Sequence, residues 1–163
     1  METATIEKKT ELVNATRPTG KPKIAYFSME IGIDEHIPTY SGGLGILAGD
    51  TLKSCADLNV PIVGVTLLSE KGYFYQEIDS DGKQIELPYN FNINDFLKLL
   101  PSKTCVKIEE RDVNIRIWYY PVQGAGGYIV PVFFLDTNLD VNTNYDREIT
   151  KFLYGGDNKY RLA

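Results

Sequence analysis

The chain has 163 residues, 43% of them hydrophobic and 24% charged, which suffices for one domain with a core and is too apolar for a disordered tail. A formal net charge of −5 argues against nucleic acid as the main partner, because phosphate binding needs an excess of Lys and Arg on one face. The longest apolar stretches, such as Ile129 to Leu135, are strand-sized, far short of the roughly 20 residues that cross a bilayer, so no membrane partner is expected.

Residues 1–21 are polar and charged and end in Arg17-Pro18-Thr19-Gly20-Lys21-Pro22, which predicts a flexible polar tail. Its start, Met1-Glu2-Thr3-Ala4-Thr5, has no apolar core of a secretory signal, so the Asn14-Ala15-Thr16 sequon reads as a chance match. Lys23 to Met29 is a short apolar run that predicts a buried strand, with Glu30 at its end and a loop over residues 31–41. After Ser41-Gly42-Gly43-Leu44-Gly45, the residues Leu44, Leu47, Ala48, Leu52, Cys55 and Ala56 recur at three- and four-residue steps, predicting a helix with one apolar stripe. Pro61 to Leu68 predicts a second buried strand, and strand–helix–strand with continuous apolar strands predicts a parallel βαβ unit.

The second half carries antiparallel signals. Tyr73 to Ile78 with the turn Asp79-Ser80-Asp81-Gly82-Lys83 predicts a hairpin. Val106 to Glu109 and Val113 to Tyr120 predict two strands joined by Glu110-Arg111-Asp112, and the opposed faces of Ile115, Ile117 and Arg116 predict an exposed antiparallel strand. Gly124 to Gly127 turns the chain into a strand at Tyr128 to Leu135, followed by a helix at Tyr145 to Leu153 that Tyr154-Gly155-Gly156-Asp157 breaks. Asn158 to Ala163 then favours helix without a stop signal, so two readings are open: a short terminal turn, or a longer polypeptide cut mid-helix.

Cys55 and Cys105 do not make a disulfide framework, and with no secretory signal the expectation is a reduced, cytoplasmic protein. His36, the one histidine, cannot build a histidine metal site alone, and no metal is expected. Asp136-x-Asn138-x-Asp140 opens like a calcium loop, but Val141 and Arg147 stand where that loop needs Gly and Glu. Asp79 and Asp81 read as turn residues, Tyr119 and Tyr120 beside Trp118 as half-buried strand residues, and Asp50 and Lys53 as a surface pair on the helix.

The glycine cluster is the most informative segment. Glycines at a helix start expose main-chain amides at the positive end of the helix dipole, which suits an anion, phosphate above all. Gly43-x-Gly45-x-x-Ala48 also matches the dinucleotide fingerprint, with Glu70 after the next strand. That fingerprint needs its first glycine directly after the strand, and here about a dozen residues intervene. The residues alone leave open a helix entry chosen only for close packing.

Ile24-Ala25-Tyr26-Phe27-Ser28-Met29-Glu30 and Ser41 to Ser54, with Gly64 to Leu68, Lys71-Gly72-Tyr73-Phe74-Tyr75-Gln76-Glu77 and Leu153 to Asp157, resemble the N-terminal portion of α-glucan (glycogen, starch, maltodextrin) phosphorylases, the short bacterial and archaeal branch most. The resemblance spans residues 23–163. It implies an α/β fold: a Rossmann-like N-terminal domain of a GT-B glycosyltransferase, with a parallel βαβ start and an added antiparallel hairpin region, partial over residues 22–163. It implies phosphorolysis of α-1,4-glucan ends to glucose 1-phosphate with retention, dependent on pyridoxal 5′-phosphate, whose attachment lysine matches no position in this chain. The implied partners are a glucan chain and inorganic phosphate or glucose 1-phosphate, with a homo-oligomer allowed for the full-length parent. By resemblance, Gly42, Gly43, Leu44 and Gly45 bind substrate phosphate, and Glu30 is the one catalytic candidate, near the cofactor side of the cleft; a strand-end carboxylate paired with Lys or Arg is its alternative. The isolated chain is expected to be inactive. Two other readings stay open: the N-terminal domain of a nucleotide-sugar glucan synthase, whose usual lysine before Gly-Gly-Leu is here Tyr40, and a non-catalytic carbohydrate-binding fragment.

Overall fold

A computed structural model of the chain describes residues 21–71, 74–88 and 91–154. The tail expected over residues 1–21 therefore falls, but for Lys21, outside the described residues. So do Gly72, Tyr73, the break at residues 155–157 and the final helix at 158–163.

The predicted βαβ unit is present. Strand β1 (Ile24–Phe27), helix α1 (Gly43–Asp57) and strand β2 (Ile62–Leu67) follow in order, and β1 pairs parallel to β2 with Ile24 opposite Ile62. The hairpin β3 (Phe74–Ile78) and β4 (Gln84–Pro88) forms a separate two-stranded sheet. Its turn is organised by Asp79, whose Oδ1 accepts from the amides of Asp81 and Lys83 at 2.9 and 2.8 Å. Strands β5 (Lys98–Ile108), β6 (Arg111–Gln123) and β7 (Ile129–Asp136) complete a five-stranded sheet in the order β1-β2-β7-β6-β5. β2 and β7 are parallel, while β7, β6 and β5 are antiparallel to one another in turn.

One core lies between α1 and the sheet, built from Ala48, Leu52 and Ala56 against Ile62, Val130, Val132, Phe134 and Trp118. Helix α1 opens on Gly43 and Gly45 and carries Gly49 in its interior, where a glycine costs about 1 kcal/mol relative to alanine. Burial of its inner face, not local propensity, therefore holds it.

Several expectations are corrected. β1 is not a buried strand: among the described strands it is the sheet edge, with Ile24 51% and Phe27 73% exposed. Leu44 and Leu47 are not part of the buried stripe of α1, because Gly45 and Gly49 occupy the inner face there. β6 is no exposed strand but lies between β5 and β7, with Ile115 and Trp118 buried. β5 begins at Lys98, eight residues before Val106; Pro101 hides it in sequence and is tolerated because β5 is an edge with irregular register between Leu99 and Lys103. The helix expected at residues 145–153 is only α2 (Asn144–Arg147). Beyond it, the Leu153 amide donates to the Lys71 carbonyl at 3.4 Å and the Lys71 amide donates to the Lys151 carbonyl at 2.9 Å, a parallel bridge that takes the Leu153 amide a continuing helix would give to residue 149.

The β5–β6 turn is centred on Glu109 and Glu110, not on residues 110–112. Both take positive φ, 46° and 68°, a conformation that favours Asn-Gly in two-residue hairpin loops. Glu110→Gly is therefore expected to stabilise the chain by about 1 kcal/mol, read as a raised urea midpoint, since the Glu109–Arg111 bond (2.9 Å) is left in place.

Candidate functional site

β1, β2 and β7 run parallel and end at one edge of the sheet. Helix α1 returns against them, so its N-terminus lies at that same carboxyl edge, where open α/β sheets bind ligands. The segments that follow each strand, residues 28–42, 68–71 and 136–138, meet there.

The start of α1 is bare. Gly42 is the N-cap, with extended backbone (φ −154°) and no side-chain cap, and the first turn holds no acidic residue. The first intrahelical bond runs from the Ile46 amide to the Gly42 carbonyl at 3.3 Å. The amides of Gly43, Leu44 and Gly45 precede it and have no carbonyl partner within the helix. Gly42, Gly43 and Leu44 are exposed.

The glycines divide into two kinds. A Cβ on Gly45 would stand 2.4 Å from Tyr40 Cβ, and one on Gly49 would stand 2.0 Å from the Gly32 carbonyl oxygen. These two let α1 lie directly on residues 30–40, and the Gly32 amide donates to the Gly45 carbonyl at 2.8 Å. A Cβ on Gly42 or Gly43 would meet nothing within 4 Å, and neither has positive φ. Close packing thus accounts for Gly45 and Gly49 but not for Gly42 and Gly43.

Glu30 is 2% exposed beneath this loop. Its Oε2 accepts from the Ser41 amide at 3.0 Å, and its Oε1 accepts from the Tyr154 hydroxyl. The hydrogen bond to Glu30, then burial and the carboxylate charge, raise the Tyr154 pKa above its ordinary value, so the phenol keeps its proton as the donor. Three segments of the sequence resemblance, around Glu30, Ser41 and Tyr154, therefore converge on one carboxylate. Tyr154 lies in a recognised motif, yet nothing in the sequence links it to Glu30 across 124 positions.

The loop is also tied down at its middle. Asp34, buried, accepts from the His36 amide at 3.0 Å and from the Tyr120 hydroxyl at 3.3 Å, and the His36 ring stacks on Phe96 at 5.8 Å. Burial, with the Asp34 charge adding, raises the Tyr120 pKa well above the usual phenol range. Asp50 and Lys53 form the expected surface pair at 3.9 Å.

A second polar cluster escaped the sequence reading. Asp136, fully buried, accepts from Arg116 Nε at 2.5 Å, Trp118 Nε1 at 3.0 Å and the Asn138 amide at 2.8 Å. Asn138 Nδ2 in turn donates to both oxygens of Glu70, at 3.0 and 3.2 Å. The alternation that places Arg116 and Trp118 on one face of β6 was legible; their pairing with Asp136 needs the β6–β7 register, in which Arg116 stands opposite Asp136. Among the described residues, no group of three or more His, Cys, Asp or Glu is placed to hold a metal ion, and no helix is long and apolar enough to cross a membrane.

No family model matches the chain. It is 39% identical over 147 residues to a maltodextrin phosphorylase of Thermococcus litoralis, covering 89% of this chain and 18% of that protein. A glycogen phosphorylase of Mycobacterium tuberculosis is 41% identical over 153 residues, covering 89% and 17%. A glycogen phosphorylase of Aquifex aeolicus is 33% identical over 150 residues, covering 88% and 21%. The chain thus spans about a fifth of the length of these relatives. The resemblance carried by Ile24 to Glu30, by the glycine loop and by Leu153 to Asp157 is matched by relatives of that name along almost the whole chain, which is a sequence relative of the glycogen and maltodextrin phosphorylases.

Proposed function

We propose that this chain is the N-terminal, Rossmann-like GT-B part of a cytoplasmic α-1,4-glucan phosphorylase of glycogen metabolism, and that its glycine loop receives the phosphate of glucose 1-phosphate. The observation that carries this is the uncapped start of α1: two exposed first-turn residues, Gly43 and Leu44, no side-chain cap, no acid in the first turn, and two glycines that packing does not require. Oxyanions at that position take hydrogen bonds from Gly43 and Leu44 and the attraction of the helix dipole, worth most where negative charge grows in the transition state. Gly42 leaves the approach open. Glu30, held by Ser41 and Tyr154, fixes the loop's entry from below.

When bound in the whole enzyme, pyridoxal 5′-phosphate would supply a phosphate group that acts on the substrate phosphate. In this reading its attachment lysine lies on the other side of the cleft, and this chain's part is to present amides to the substrate phosphate. The isolated chain then has no phosphorolysis activity, because half a cleft does not supply the effective molarity of a complete one. Full-length homo-oligomers are compatible with the reading.

Tyr40 stands where nucleotide-sugar synthases carry a lysine, and it packs against Gly32 and Gly45. The test is thermal unfolding of the chain with glucose 1-phosphate and with UDP-glucose. Glucose 1-phosphate is expected to raise Tm progressively with the logarithm of its concentration above Kd, by the equivalent of about 2.7 kcal/mol at a hundredfold excess over Kd. A rise with UDP-glucose alone would favour the synthase reading and contradict this one.

A further inference from the structure

Beside the carboxyl ends of β2 and β7, with no glycine-loop residue in its lining, lies an open groove of about 780 Å3 lined among others by Glu70, Arg116, Trp118, Phe91, Asn92 and Leu99. We infer that it binds a neutral pyranose oligosaccharide through a vicinal diol held between Glu70 and Arg116.

The polar pair carries the inference. Arg116 Nη2 stands 3.8 Å from Glu70 Oε1, too far for a direct hydrogen bond. Each is locked from behind: Arg116 by Asp136 at 2.5 Å, and Glu70 by the side-chain amide of Asn138 at 3.0 and 3.2 Å. Asn138 is itself fixed, its Oδ1 accepting from Arg147 Nε at 2.9 Å and its amide donating to Asp136 at 2.8 Å. A planar donor and a planar acceptor are therefore preorganised side by side with capacity left over. Both are partly accessible, their side chains 27% and 24% exposed. Adjacent sugar hydroxyls match this arrangement, one accepting from Arg116 and its neighbour donating to Glu70.

The rest of the groove fits the same ligand. Leu99 is 50% exposed and Phe91 is half-buried, its ring stacked on Phe96 at 5.6 Å. They provide apolar surface for the C–H face of a pyranose. Glu70, Lys71 and Arg116 put charges of both signs on the wall, which opposes a purely apolar guest. The volume lies in the ordinary range of ligand sites, about 300–1,000 Å3.

Trp118 is the chain's only tryptophan and lines the groove, so its emission reports occupancy. The full chain is titrated with maltotriose and, in a second arm, with cellotriose. A saturable change in emission is expected, with Kd on the order of 1 mM. Glu70→Gln and, on the exposed edge strand, Leu99→Asp are each expected to weaken it about tenfold while far-UV circular dichroism stays unchanged. The choice of maltotriose rests on the phosphorylase reading; the diol site does not. Glu70-dependent binding of cellotriose alone would support the groove and contradict the choice of glucan. No saturable change with either sugar, or binding that both substitutions leave intact, overturns the inference.

Discussion

Gly49→Ala is expected to lose about 3 kcal/mol of stability, a fall in Tm of roughly 6–12 °C for a chain of this size. Gly43→Ala, six residues earlier in the same helix, is expected to gain about 0.5 kcal/mol. The added methyl at position 49 meets the Gly32 carbonyl oxygen at 2.0 Å and its carbon at 2.7 Å, rigid backbone that cannot rotate away. The methyl at position 43 meets nothing within 4 Å, and the substitution trades a poor helix former for a good one. Thermal unfolding followed by circular dichroism reads both. Equal Tm values for the two variants would contradict the division between packing glycines and an open loop on which the functional reading rests.

Asp136→Ala is expected to cost about 3–5 kcal/mol. Asp136 is fully buried, and three donors converge on it from Arg116, Trp118 and Asn138. Removing the carboxylate leaves the guanidinium with only Glu70, at 3.8 Å, and the indole and the amide without an acceptor. Removing both charges together, Arg116→Met with Asp136→Leu, is expected to recover the part of the loss due to the unpaired charge, while the Trp118 indole and the Asn138 amide still lack their acceptor. Urea unfolding of wild type and both variants tests this; a double variant as unstable as Asp136→Ala would contradict it.

Much of the fold was legible because local and global preferences agree. The apolar run of β2, the Asp79 turn and the helix entry at Gly43 each read the same in sequence and in structure. β1 misled because an edge strand of a parallel sheet has the same apolar sequence as a central one; only neighbours decide, and Phe27 has none on its outer side among the described strands. The first half of β5 is hidden because Pro101, Lys98 and Lys103 argue against a strand unless it is an edge. The helix expected at residues 145–153 is cut short because the Leu153 amide, which a helix would give to residue 149, goes to the Lys71 carbonyl, a long-range pairing that outweighs local helix propensity.

The candidate site divides in the same way. The glycine loop was visible because its chemistry is main-chain and contiguous. Which glycines serve packing was not, because the answer lies in Gly32 and Tyr40 across a loop. Glu30 stood out by position, yet its partners at Ser41 and Tyr154 come from 11 and 124 residues away. The Arg116–Asp136–Asn138–Glu70 chain depends wholly on register between β6 and β7 and on the parallel ends of β2 and β7.

Residue-resolved titration of the 15N-labelled chain with glucose 1-phosphate tests the central claim most directly. The amide resonances of Gly43 and Leu44 are expected to shift most, and saturably, with Ser41 following through its bond to Glu30. Saturable shifts confined to other parts of the chain, or no shift at Gly43 and Leu44 at saturating ligand, would contradict the reading of this helix start as a phosphate cradle.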